Sequence, residues 1–314
     1  MTAIVLQVIA GLALFLFALT GLSSNLESLA GEKMKAWLDR FTNNVFKGII
    51  SGLLITAALQ SSSAVVIMTI ALVSSSAMTF KQAMGVVMGA NIGTTISSQI
   101  IAFDVGEWSA IPMILALPFL LFSKSDKVHK SAMVAFSTGL LFFALFTMEN
   151  AVEPLKEYQG FIEWMKKLES PVQGALTGGF VTLVIQSSSA TVAMAIKLCG
   201  QGLMELPAGI AVMLGAELGT CSDTLVATIG RTRPAVRTGF FHLTFSLITI
   251  ILGLIFIEPF TDLVLLISDG YPIQRQVANA HILFNCLGVL ICLPFIPFFE
   301  KLMYRIVPKG PNEV

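Results

Sequence analysis

Charge is scarce in this 314-residue chain. Only 12% of the residues are charged, against about a quarter in ordinary soluble domains, and 19 bases balance 19 acids. With no net positive charge there is no electrostatic footprint for nucleic acid. Cysteine is limited to Cys199, Cys221, Cys286 and Cys292, all in apolar segments and without metal-ligand spacing. They read as small buried hydrophobes, not as a disulfide framework or a zinc site. No polar stretch between the apolar runs is long enough for a soluble catalytic domain, and the Gly-x-Ser-x-Gly turn of serine hydrolases is missing. No Lys or Arg precedes the first apolar run, which is longer than the apolar region of a signal peptide and reads as a first span.

What is present in quantity is apolar. Hydrophobic residues make up 55% of the chain, and mean hydropathy is +0.83. Runs near bilayer length recur at 3–22, 109–122, 131–148, 207–216, 238–257 and 277–299. This composition predicts an all-α integral membrane protein with several spans.

The chain also repeats itself. Gln60-Ser61-Ser62-Ser63-Ala64 returns as Gln186-Ser187-Ser188-Ser189-Ala190, and residues 48–102 match 174–228 at 18 of 55 positions without a gap. The most faithfully repeated stretch is polar, which is costly inside a membrane unless something there requires it.

Basic residues place the connections. Lys33, Lys35, Arg40 and Lys47 form one cluster, Lys124, Lys127 and Lys130 a second, Arg231, Arg233 and Arg237 a third, and Lys301, Arg305 and Lys309 lie near the end. The connection with Asp104 and Glu107 has no base. The one at 149–170 sets Glu149, Glu153, Glu157, Glu163 and Glu169 against Lys156, Lys166 and Lys167, and 258–276 carries a single Arg275. If about 48–80 and 174–202 are hairpins that enter and leave by one side, every basic cluster falls on the cytoplasmic side. The expected architecture is two inverted repeats, 1–130 and 131–314. Each carries a re-entrant helical hairpin with a Gln-Ser-Ser-Ser motif, and about seven spans complete the chain. The amino terminus is then outside and the carboxyl terminus cytoplasmic, in the cell's inner (plasma) membrane. Transporters of this plan bind at mid-membrane, at the repeat interface.

Each triple serine precedes a plausible half-helix. Its first N–H groups lack intrahelical partners and sit at the positive end of the dipole, so the start can hold an anion without a basic residue. Capping of the helix by the serines is the alternative. Gly48, Gly52 and Thr56 lead into the first motif and Gly174, Gly178 and Thr182 into the second, a small-residue stripe for close helix packing. A second repeated block, Gly89-Ala90-Asn91-Ile92-Gly93-Thr94-Thr95, matches Gly215-Ala216-Glu217-Leu218-Gly219-Thr220-Cys221. Its spaced glycines predict a kinked or broken helix, and its polar side chains offer neutral oxygens to a cation. His242 and His281 sit in similar frames, His-x-x-Phe-Ser and His-x-x-Phe-Asn. They fit hydrogen-bonded core histidines, with a proton relay as the alternative. His129 reads as a surface residue.

The doubled serine motif, the Gly-Ala-Asn-Ile-Gly-Thr-Thr block and Ala280-His281-Ile282-Leu283-Phe284-Asn285 together resemble the type II sodium/phosphate cotransporters and their bacterial relatives, over roughly residues 5–298. The resemblance implies sodium-coupled import of inorganic phosphate by alternating access. It points to Ser61, Ser62, Ser63, Ser187, Ser188 and Ser189 for phosphate. For sodium it points to Gln60, Asn91, Thr94, Thr95, Gln186 and Thr220, to which the acids Glu217 and Asp223 are added from their places in the second block. No cofactor is implied beyond sodium as coupling ion. The implied partners are phosphate, sodium and the lipid bilayer, with no nucleic acid, and a homodimer is a candidate assembly. Transport of another oxyanion, or phosphate export, is the alternative within the same fold; a membrane scaffold or regulatory protein is the alternative of another class. The second copy departs from the pattern at Glu217, Cys221 and Asp223, and Lys197 stands where the first copy has Ala71. Glu217 or Asp223 is expected to face the cation or to pair with Lys197, the alternative being that Lys197 reaches the exterior and Asp223 caps a turn.

Overall fold

A computed structural model describes residues 2–103, 105–152, 154, 159–168 and 170–310. Asp104, Glu153, Lys156, Glu157 and Glu169, used above to place connections, lie outside the described residues. Among the described residues the chain is helical and forms no strand, as expected where backbone polar groups must bond within their own segment.

The first half runs through α1 (Thr2–Phe41), α2 (Val45–Leu59), α3 (Ser62–Ser74), α4 (Phe80–Ile101), α5 (Ala110–Phe122) and α6 (Asp126–Val152). After α7 (Gln159–Lys167) come α8 (Pro171–Ile185), α9 (Ser188–Gly200), α10 (Leu206–Gly219) and the short α11 (Cys221–Val226). The chain ends in α12 (Arg233–Ile255), α13 (Ile257–Ile267), α14 (Ile273–Cys292) and α15 (Ile296–Ile306). The starts are locally encoded. The Asn44 side chain accepts the Lys47 N–H, and Thr79 and Gln82 cap α4 reciprocally. Prolines occupy the first turns of α8, α10 and α12.

Five helical stretches are long and apolar enough to cross a membrane: Ile4–Ala30, Asp126–Val152, Leu206–Val226, Arg233–Ile255 and Ile273–Ile306. The chain is a multi-pass membrane protein. About seven spans were expected; α4 (22 residues) and α5 (13 residues) are helical but are not among these five. The first apolar run does not end its helix near residue 22; α1 continues through the basic cluster to Phe41.

Two apolar cores form. One gathers residues of α1, α6, α9, α10, α13 and α14; the other joins α2, α3 and α4 to α12 and α15. The two serine-bearing helix pairs thus sit in different cores, each beside the helix that follows it. Glycines allow this. A Cβ on Gly85 or Gly89 would overlap the carbonyl oxygens of Val45 or Ile49, and one on Gly178 or Gly215 those of Val212 or Ala175. The expected kink at the second block is therefore corrected in the first copy: α4 runs unbroken through Gly89–Thr95, because the glycines serve helix contact. In the second copy the helix is interrupted only at Thr220, which keeps helical dihedrals (φ −63°, ψ −25°).

Candidate functional site

Both serine motifs fold alike. Gln60 ends α2 in the left-handed region (φ 55°, ψ 28°), and Gln186 ends α8 likewise (φ 59°, ψ 32°). Side chains rarely adopt this conformation, at a cost of roughly 1–2 kcal/mol, and it turns the chain straight into the next helix. Ser61 (φ −148°, ψ 103°) caps α3 and Ser187 (φ −151°, ψ 105°) caps α9, each Oγ accepting the N–H three residues on at 3.2 Å. The first serine of each motif is thus spent on its own helix. Ser63 Oγ donates to Asp223 Oδ2 at 3.2 Å, across 160 residues of sequence. Among the described residues nothing is bonded to the hydroxyls of Ser62, Ser188 or Ser189.

All six serines, with Gln60, Gln186, Thr220 and Asp223, line one cavity of about 460 Å³. Helix α1 closes its remaining wall with Thr20, Ser23, Ser24 and Glu27. This contribution was missed in the sequence. Its signal was there: positions 20, 23, 24 and 27 share one face of a helix, but they straddle the end of the apolar run. Ser23 Oγ donates to the Gln60 carbonyl at 3.4 Å. Among the described residues no Lys, Arg or His lines the cavity, and the carboxylates of Glu27 and Asp223 do. An anion here meets hydroxyls and two helix amino termini, and the carboxylates favour cations beside it.

Asn91, Thr94, Thr95 and Glu217 do not line the cavity. On α4, the Asn91 side chain donates to the Val87 carbonyl, Thr94 to Ala90 and Thr95 to Ile92. The neighbouring Ser97 donates to Gln60 Oε1 at 2.9 Å, tying that helix to the motif.

The expected partners of Lys197 are corrected. Lys197 Nζ donates to Glu149 Oε2 at 2.7 Å, and Gln201 Nε2 to Glu149 Oε1 at 2.6 Å, so α9 is pinned to α6 and not to Glu217 or Asp223. Lys197 is buried, not extended to the exterior. Its neutralising acid is 48 positions away and belongs to α6, three helices earlier. Glu217 is bonded instead to His281 Nε2 at 2.6 Å. Its Oε1 is thus engaged by the imidazole, and Glu217 is not among the residues that line the cavity. Both matched histidines are buried and hydrogen-bonded: His281 Nδ1 lies 2.6 Å from Ser98 Oγ, and His242 Nδ1 lies 2.9 Å from Thr224 Oγ1. Ser98 and Thr224 occupy the same place in the two copies. His129 is exposed.

Residues 14–150 and 156–290 each match the Na+/Pi-cotransporter family. The "Uncharacterized protein YqeW" of Bacillus subtilis is 28% identical over 304 residues, covering 94% of this chain and 97% of that protein. The "Putative inorganic phosphate export protein YjbB" of Salmonella typhimurium is 23% identical over 98% of this chain, which spans only 56% of that protein's length. Human "Sodium-dependent phosphate transport protein 2B" is 35% identical over 98 residues, 30% of this chain and 14% of that protein. No solved structure matches. Matched over both halves, with its serine motifs gathered around one cavity, the chain belongs to the Na+/Pi-cotransporter family.

Proposed function

We propose that the chain is a sodium-coupled secondary transporter that imports inorganic phosphate by alternating access. The observation that carries this reading is the cavity, where two equivalent helix starts present the hydroxyls of Ser62, Ser188 and Ser189, unbonded among the described residues. In this reading Ser62, Ser63, Ser188 and Ser189 hold the phosphate oxygens, while Ser61 and Ser187 keep the helix starts in shape. Gln60, Gln186, Thr220 and Asp223 offer oxygens to sodium at the cavity. Asn91, Thr94 and Thr95 belong to the same set on α4, within the two turns before Ser97.

Energetics favour the coupling. Bringing a dianion into an inside-negative cell opposes the potential by about 4.6 kcal/mol per 100 mV. Two sodium ions make that step neutral and three make it favourable. They also screen phosphate in a cavity that has two carboxylates and no base. The helix pairs α2–α3 and α8–α9 serve as re-entrant hairpins in inverted repeats, 1–130 and 131–314, with the amino terminus outside. Supporting this are the matched turns at Gln60 and Gln186 and the separate family matches to each half.

A second reading, phosphate export, is favoured by the printed name of the YjbB relatives. Labelled-phosphate flux in proteoliposomes separates the two. Sodium-coupled import predicts accumulation driven by an inward sodium gradient, abolished when choline replaces sodium. Equal flux in both media would remove sodium coupling, and outward flux alone under cell-like gradients would favour export.

A further inference from the structure

Glu217 and His281 form a buried acid–base pair outside the cavity. Their side chains are 7% and 2% exposed, and they meet at 2.6 Å. Three helices supply the group: Glu217 from α10, His281 from α14, and Ser98 from α4 on the other ring nitrogen at 2.6 Å. The first copy has neutral Asn91 where the second has Glu217. A lone carboxylate at such depth is strongly disfavoured unless it is hydrogen-bonded or paired. The sequence spends this cost once, on one side of a twofold repeat.

The triad is satisfied in either of two protonation states. With neutral imidazole, Nε2–H donates to Glu217, Ser98 donates to Nδ1, and the group carries one negative charge. With one more proton, Nδ1–H donates to Ser98, and imidazolium and carboxylate cancel. Neither state leaves the ring or the carboxylate oxygen at this contact unbonded. Both members are closed off in this conformation, so exchange of the proton requires α4, α10 or α14 to move. A bound ion that exchanges only through such a movement is one that can be coupled to transport. The link to substrate is short: Ser98 adjoins Ser97, which bonds Gln60 at the cavity wall.

We infer that the Glu217–His281 pair is a binding site for one proton that is carried along with each phosphate, an inference that rests on the phosphate-transport reading. Four other ionisable groups on neighbouring helices have hydrogen-bond partners of their own. His242 of α12 is bonded to Thr224, Lys197 of α9 to Glu149, Asp223 of α11 to Ser63, and Arg275 of α14 to Gln99. Cys221, one turn after Glu217, bonds back to the Glu217 carbonyl through its thiol.

The test measures proton and labelled-phosphate entry in the same proteoliposomes, with an entrapped pH indicator and equal sodium on both sides. Wild type should take up phosphate down a proton gradient. Glu217→Gln and His281→Gln should each lose one proton from the proton-to-phosphate ratio, and His242→Gln should not. An unchanged ratio in both variants overturns the proposal. Infrared spectra of solubilised wild type with isotope-labelled histidine, taken across pH, need neither transport nor a variant. Protonation of a buried imidazole coupled to a carboxylate band is expected, and its absence overturns the proton site. Lack of any phosphate flux in wild type, beside a positive infrared result, would instead mark failure of the phosphate reading and of the coupling with it.

Discussion

Small differences between the two copies reveal what individual side chains do. Thr56 and Thr182 are equivalent and both buried, yet only Thr182 has a partner, Thr191 Oγ1 at 2.8 Å. The first copy has Val65 in place of Thr191, and Thr56 Oγ1 is left without a bond. Removing an unsatisfied hydroxyl costs little, whereas removing a bonded one costs about 1 kcal/mol. Thr56→Val should therefore leave the melting temperature of the solubilised protein unchanged or raised, and Thr182→Val should lower it. The reverse order would show that Thr56 is satisfied by something bound in the native protein. At this scale the sequence was partly legible. The triple serines announced themselves by exact repetition, and their place at helix starts followed from the apolar runs behind them. The pairs Lys197–Glu149 and Glu217–His281 were not legible, because no periodicity links positions 48 and 64 residues apart.

Among the elements, each serine-bearing pair depends on the helix after it. Gly89 lets α4 lie directly on the α2 backbone, and Gly215 does the same for α10 against α8. Gly89→Leu should push these helices apart and reduce the yield of folded monodisperse protein. Phosphate should not rescue it, since the contact lies within the scaffold. Gly202 offers the contrast, with a positive φ of 68° and no atom near its would-be Cβ; Gly202→Asn should be tolerated. The latch between α9 and α6 belongs here too. The Lys197 and Glu149 side chains are 11% and 17% exposed, so removing one partner strands the other. A fully buried pair broken this way loses about 3–5 kcal/mol, and partial exposure reduces that figure. Lys197→Met should lower the melting temperature clearly, and adding Glu149→Met should restore much of it. Equal losses in the single and double variants would show that no such coupling exists. The spaced glycines suggested a kink because sequence alone does not tell a hinge from a contact. The surrounding backbone does: the Ile49 carbonyl occupies the space a side chain on Gly89 would need.

For the whole molecule, the proposal of inverted repeats makes a claim about sides. Lys81, in the first turn of α4, and Glu205, the residue before α10, are exposed just beyond the two serine-bearing pairs. With the native cysteines replaced, Lys81→Cys should react with an impermeant thiol reagent only from the cytoplasm, and Glu205→Cys only from outside. Reaction of both from one side would overturn the inversion while leaving the helices as they are. The all-helical, multi-pass character was readable from composition, because the lipid solvent dictates it. The assembly of one cavity from α1, α3 and α9 was not, because it depends on how separate cores pack. The central claim is that serines from both repeats hold the same phosphate. Equilibrium binding of labelled phosphate to the purified chain in saturating sodium tests it most directly. One site per chain is predicted, with Ser62→Ala and Ser188→Ala each weakening that site about 10-fold, as loss of a hydrogen bond to a charged group of about 1.5 kcal/mol implies. Two independent sites, each abolished by only one of the substitutions, or unchanged affinity in both variants, would contradict it.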